Sequence, residues 1–272
     1  MQKRITVKVG SNVLTRADGN LDFTRMSALV DQIVELRRRG IEVVLVSSGA
    51  VASGRGEMRI DASTLDDVSS RQLFSAVGQA KLMNRYFELF RNDGIFCGQV
   101  LTTKENFSDG EHYLNQKRCV EVMLANGVVP VVNENDTVSV TELMFTDNDE
   151  LSGLIAEMVG ADALVILSNV DGIFDGDPAD PRSRVIREIR ADDAVEKFVS
   201  DGKSSHGRGG MASKCGVARR IAAGGIPVII ANGRREDVLL KIFDDPAGTL
   251  CTRFLPREDS LREHGGSSFG TV

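Results

Sequence analysis

Several short segments of the 272-residue chain place charged and amide side chains where an anion or a carboxylate can be handled. In Lys8-Val9-Gly10-Ser11 the lysine falls on the strand face opposite Ile5, Val7 and Val9. A lysine inside a buried strand is costly unless an anion meets it or a carboxylate pairs with it. Gly10, the second residue after it, lets a phosphate approach the backbone closely. Ser47-Ser48-Gly49-Ala50-Val51-Ala52-Ser53-Gly54 ends a strand in small residues and opens toward a helix. Its backbone N–H groups either face an anion or simply make the strand-to-helix turn. Arg55 stands where a Walker A loop needs lysine, so that motif is not met.

The most informative segments are acidic. Val131-Val132-Asn133-Glu134-Asn135-Asp136 leaves one strand, and Asp147-Asn148-Asp149-Glu150 opens a helix, so five carboxylates and three amides converge. Asp147 and Glu150 have the spacing of a capping box, and the extra acids suit a helix N-terminus. Three acids within Asp147–Glu150 repel one another unless cations or a ligand ammonium offset them, which points to a site. Gly207-Arg208-Gly209-Gly210-Met211-Ala212-Ser213-Lys214 is a glycine-rich loop opening a helix with a lysine in its first turn. Gly207, Gly209 and Ala212 satisfy G-x-G-x-x-A, but polar loop rather than a strand precedes them, so the dinucleotide reading fails on context. A phosphate-binding helix start with Lys214 as a point charge remains, beside a plain surface loop. A lysine on the helix surface is expected to matter little to folding. Leu167-Ser168-Asn169-Val170-Asp171-Gly172 leaves a strand through polar residues, either to floor a nucleoside pocket or to turn. His112, His206 and His264 lie in polar surroundings and read as solvated rather than catalytic.

These segments need a frame. Apolar runs at Ile5–Val9, Ile41–Val46, Ile95–Val100, Val128–Val132, Ala163–Leu167 and Ile226–Ala231 read as buried parallel strands. Helical spacing appears in Met26–Leu36 before Gly40, in Leu151–Val159 before Gly160, and in Met211–Ala222 before Gly224-Gly225. Alternating strands and helices predict an α/β fold, an open doubly wound sheet with helices on both faces. Ligands in such sheets sit beyond the carboxyl ends of the strands, where the segments above begin. Ser200–Gly210 reads as a loop and Gly265–Val272 as a loose tail.

Composition narrows the partners. With 42% hydrophobic and 26% charged residues the chain has a globular balance. The net charge of -6 leaves no broad basic field for nucleic acid. Four cysteines without a C-x-x-C pair, and three histidines, indicate neither a disulfide framework nor a zinc site, and suit a reducing cytoplasm. No apolar run approaches the 18 residues of a membrane span, and the N-terminus lacks the apolar core of a signal peptide.

Taken together, Val7-Lys8-Val9-Gly10-Ser11, Ser47-Ser48-Gly49-Ala50, Val77-Gly78-Gln79, Gly98-Gln99-Val100-Leu101, Pro130–Asp136, Asp147-Asn148-Asp149, Asp171-Gly172-Ile173 and Gly209–Lys214 resemble the amino acid kinase family over about residues 4–254. The NEND and DND blocks resemble the branch whose acceptor is the side-chain carboxylate of L-glutamate. The resemblance implies a three-layer αβα open, mainly parallel sheet of the amino acid kinase type. It implies one domain over 1–256, with an acceptor lobe to about 160 and an ATP lobe from about 161 to 256, then a loose tail over 257–272. The C-terminal PUA domain of many such enzymes is expected to be missing. MgATP would donate its γ-phosphoryl group to glutamate in the first step of proline biosynthesis, with Mg2+ held mainly by ATP and no metal ligands from the protein. By the same resemblance Lys8 and Lys214 act on the transferring phosphoryl group and Asp149 positions them. Ser48, Asp136 and Asn148 would bind glutamate, with Asp136 facing its ammonium. Gly10, Ser11 and Gly49 would offer N–H groups to phosphate. Ser168, Asn169, Arg208, Gly209, Gly210, Met211, Ala212, Ser213 and Lys214 would line the ATP site, although Arg208 replaces a small polar residue of many relatives. Family behaviour implies a homo-oligomer, proline feedback, and neither nucleic-acid nor membrane partners. Aspartate, N-acetylglutamate or UMP as acceptor, and a non-catalytic nucleotide or amino-acid sensor, are the competing readings.

Overall fold

The computed structural model describes residues 3–58, 60, 61, 63–139, 145, 147–190, 193 and 210–257. Among these, eight strands form one sheet: β1 (Arg4–Val9), β2 (Glu42–Ser47), β3 (Cys97–Thr102), β4 (Val129–Glu134), β5 (Ala163–Ser168), β6 (Glu188–Arg190), β7 (Val228–Asn232) and β8 (Cys251–Leu255). The helices are α1 (Ser11–Leu14), α2 (Phe23–Arg38), α3 (Ala50–Met58), α4 (Asp67–Asn92), α5 (Glu105–Ser108), α6 (Gly110–Ala125), α7 (Asn148–Met158), α8 (Met211–Ala223) and α9 (Val238–Asp244). The sheet order is β3-β4-β2-β1-β5-β7-β8-β6. Every pairing is parallel except β7 with β8.

The six apolar runs are six of these strands. β2, β4 and β5 are buried at every residue, as parallel strands covered by helices on both faces must be. Alternation along β1 sends Ile5, Val7 and Val9 into the core under α2, α4 and α9, while the buried Thr6 and Lys8 take the opposite face, the one covered by α7. Lys8 therefore looks toward α7.

Helix ends follow local chemistry. Asp22, Asp66, Asp109 and Asp147 each accept a backbone N–H in the first turn of α2, α4, α6 and α7. Gly40, at φ +79°, closes α2 with Gly40 N–H donating to Arg37 O and Ile41 N–H to Leu36 O, the Schellman pair. The same pair ends α7 at Gly160 and α8 at Gly225. Helices α3 and α4 touch backbone to backbone at two glycines. A Cβ on Gly54 would collide with the Phe74 carbonyl, and one on Gly78 with the Ala50 carbonyl. That contact fixes α4 against the start of α3, next to the carboxyl ends of β1 and β2.

Candidate active site

β1 and β5 are neighbours whose connections leave in opposite directions, one toward β2 and one toward β6 and β7. Such a switch point leaves a crevice beyond the strand ends. A cleft of about 930 Å³ opens there, lined by residues following β1, β2, β4 and β5 and by the first turns of α7 and α8. Its size fits two small ligands side by side.

At its centre Asp149 bridges two lysines. Lys8 Nζ lies 2.6 Å from Asp149 Oδ1, and Lys214 Nζ lies 2.9 Å from Oδ2. The carboxylate is fully buried, and burial alone would favour its neutral form; the two ammonium groups outweigh that and hold it below the usual carboxylate range. Three elements set this geometry. Lys8 comes from the α7-facing side of β1, Asp149 from the first turn of α7, and Lys214 from the first turn of α8. Asp147 caps α7 by accepting from Asp149 and Glu150 N–H, and its other oxygen accepts from Ser213 Oγ at 2.6 Å. Ser213 thus ties the starts of α7 and α8 together. The expected surface position of Lys214 is corrected: its side chain is only 12% exposed and ion-paired.

A second group lies toward β4. Asn148 Nδ2 donates to Ser48 Oγ at 2.9 Å and to Asn133 Oδ1 at 3.0 Å. Both Nδ2 protons of Asn148 are thus spent, and the residue lines the cleft. Asn133 in turn donates to Gln79 Oε1 at 3.0 Å, which anchors the loop to α4. Asp136 and Glu134 share the guanidinium of Arg71, also from α4, with Arg71 Nη2 2.7 Å from Glu134 Oε2 and Nε donating to Asp136. Burial raises both carboxyls against the pull of Arg71, and Glu134 reaches about 7, with Asp136 adding to the rise. Arg71, Glu134, Asn133 and Gln79 complete this end of the cleft. Glu134 and Asn133 stand in the NEND block and Gln79 in the VGQ block, but no sequence spacing singles out Arg71.

The glycine expectations divide. Gly10 N–H donates to Leu167 O at 3.1 Å, so it is not available to phosphate. A Cβ at this position would stand 3.4 Å from both Leu167 O and Lys8 Nζ, an ordinary contact distance. Ser11, Gly49, Ser168 and Asn169 line the cleft beside Lys8. Gly210 is the N-cap residue of α8, and Met211 packs on the core beneath that helix rather than lining the cleft, as does neither Ala212 nor Ser213. Arg208 and Gly209, the Ser200–Gly210 loop up to 209, and the tail beyond 257 lie outside the described residues. Among the described residues no three His, Cys, Asp or Glu side chains converge to hold a metal ion, and no helix is long and apolar enough to cross a membrane.

A crevice at the switch point of a mostly parallel sheet, with two lysines bridged by a buried carboxylate, is the layout of a phosphoryl-transfer site. The amino acid kinase family matches residues 3–232, and the chain belongs to it. Within the family it is 63% identical over 258 residues to "Glutamate 5-kinase" of Bacteroides thetaiotaomicron, covering 95% of this chain and 71% of that protein. "Glutamate 5-kinase" of Symbiobacterium thermophilum is 42% identical over 253 residues, covering 92% and 96%. The solved structure "Carbamate kinase from Giardia lamblia bound to AMP-PNP" superposes with a TM-score of 0.67 at 18% identity, covering 94% of this chain and 99% of that one. UMP kinase from Ureaplasma parvum gives 0.62 at 14% identity. These two share the fold.

Proposed function

We infer that the chain acts as a glutamate 5-kinase. It transfers the γ-phosphoryl group of ATP to the side-chain carboxylate of L-glutamate, giving L-glutamyl 5-phosphate and ADP, the first step of proline biosynthesis. The observation that carries this reading is the Lys8–Asp149–Lys214 bridge at the centre of a cleft with an acidic, amide-rich end. The glutamate 5-kinase relatives fix the acceptor.

A carboxylate acceptor is already ionised at neutral pH, so the reaction needs no general base. One carboxylate oxygen forms a bond to the γ-phosphorus, and the bond from that phosphorus to the β,γ-bridging oxygen breaks. What the enzyme supplies is alignment and charge neutralisation. Lys8 and Lys214, one on each oxygen of Asp149, supply positive charge to the transferring group, and Asp149 keeps the two ammonium groups together where they would otherwise repel. Magnesium would come with the ATP phosphates and neutralise their charge there. Ser48, Asn148 and Asp136 hold glutamate, the Asn148 carbonyl and Asp136 taking its ammonium. Ser168 and Asn169 mark the ATP side. The four cysteines are free, which supports a reducing cytoplasm as the compartment.

The test is ADP release from MgATP with L-glutamate, L-aspartate, N-acetylglutamate and UMP in parallel. Turnover with glutamate alone is expected. Turnover with another acceptor would overturn the substrate assignment, and ATP binding without turnover would make the chain a sensor.

A further inference from the structure

An α-amino acid carries an ammonium and a carboxylate on one carbon, so a site that takes the ammonium on Asp136 must meet the carboxylate within a few ångströms of it. Neutralising that carboxylate needs a cation adjoining Asp136. Among the described residues lining the cleft, Lys8 and Lys214 are held on Asp149, and the Arg55 guanidinium stacks over the Phe74 ring at 5.2 Å. Arg71 is different. It lines the cleft, touches Asp136 through both Nε and Nη2, and shares Nη2 with Glu134. Its Nη1 donates to no described residue. The Arg71 side chain is 22% exposed while its two carboxylate partners are 2% and 7% exposed. The buried acids thus hold the guanidinium in one orientation with a donor left over, the arrangement in which a planar fork recognises a third carboxylate.

We propose that Arg71 is a specificity-determining residue that binds the α-carboxylate of the acceptor, paired with Asp136 so that the site selects an α-amino acid zwitterion. The proposal rests on the glutamate reading. It explains why a guanidinium reaches across from α4 to two acids of the β4 end. The pair presents opposite charges side by side, as an α-amino acid does. Neither acid is surrendered when the ligand binds, since the guanidinium has five N–H groups to share.

The test compares three acceptors on the intact protein: L-glutamate, its α-amide, which lacks only the α-carboxylate charge, and glutarate, which lacks only the ammonium. The wild type is expected to prefer glutamate over the α-amide by about 100-fold in kcat/KM, or in Ki where turnover is too slow. Arg71→Lys keeps a cation between Glu134 and Asp136 but loses the fork. It is expected to shrink the preference over the α-amide at least about tenfold, through KM for glutamate, with KM for ATP and the preference over glutarate unchanged. A wild type that does not distinguish glutamate from its α-amide overturns the proposal without any variant. A variant in which all three acceptors weaken together also overturns it, leaving Arg71 a counter-ion only. A wild type inactive with glutamate but active with another acceptor overturns the glutamate reading and this proposal with it.

Discussion

Two ammonium groups 2.6 and 2.9 Å from one buried carboxylate are stable only as a set. Replacing Asp149 by Asn removes the carboxylate that Lys8 and Lys214 share, and removing one partner of a buried ion pair costs about 3–5 kcal/mol. Asp149→Asn should therefore lower the melting temperature, and should reduce kcat by about 100- to 1,000-fold because the lysines lose their aim. Lys214→Ala should show the same direction in both readouts, more mildly in stability because Lys8 still answers Asp149; melting curves and kcat on the same preparations check this. Glu134 gives a pH signature. Its folded carboxyl titrates near 7, above the ordinary value of 4.5, so the folded state prefers it neutral. Its contribution to stability is full below about 4.5 and is lost as pH rises through about 7. Glu134→Gln removes the titration, so the melting temperature of the variant relative to the wild type should climb between pH 5 and pH 8. A difference constant with pH would contradict this assignment. At this scale the lysines and Asp149 were legible, because a lysine in a buried strand and three clustered acids each demand a partner. Arg71 was not, since one arginine in a polar stretch has no local signal and acquires its meaning only from acids more than sixty positions away.

The helix that carries Arg71 was also the hardest element to read. Its buried stripe runs Ser70, Phe74, Gly78, Leu82, Tyr86 and Phe90, a regular four-residue period, but serine and glycine occupy places where apolar residues would announce it. Those small residues are there because α3 lies against α4. Glycine to alanine inside a helix is ordinarily favourable by about 1 kcal/mol. At Gly78 the sign reverses, because a methyl group meets the Ala50 carbonyl. Gly78→Ala should destabilise by about 1–3 kcal/mol in denaturant unfolding and should weaken glutamate binding, as the shift displaces Arg71 and Gln79. A stabilised Gly78→Ala variant would contradict the packing. β6 and β8 escaped sequence reading for a different reason: β6 has three residues, and β8 buries Thr252 beside partly exposed Arg253. Thr252 earns its burial by accepting from Ile173 N–H and donating to Ile186 O, long-range bonds that no local pattern reveals. β1, β2, β4, β5 and β7 were legible because strands inside the sheet become continuous apolar runs, and β3, partly exposed at the sheet edge, was legible only from the apolar residues at its start.

Both hydrophobic cores cross from β2, β3 and β4 to β5, β7 and β8. One joins Val7 and Leu45 to Leu167 and Ala231, and the other joins Val46 and Val132 to Ile166 and Ile230. The proposed division into an acceptor side up to about residue 160 and an ATP side beyond it is therefore a division of ligands, with the cores shared. Unfolding in urea should be a single transition, with coincident midpoints by far-UV circular dichroism and by protease susceptibility. Two separated midpoints would mean that each side folds by itself. The shared sheet also bears on the site: β1 and β5 hold the two sides in register, so on the proposed assignment ATP and the acceptor would meet over Lys8. The central claim is that the product made there is an acyl phosphate of glutamate. Hydroxylamine converts such a product to a hydroxamate, so the most direct measurement is to incubate the protein with MgATP, L-glutamate and hydroxylamine and quantify hydroxamate against ADP. Glutamyl γ-hydroxamate equal to the ADP released is the predicted result. ADP formed without hydroxamate, or hydroxamate formed only with a different acceptor, would contradict the account.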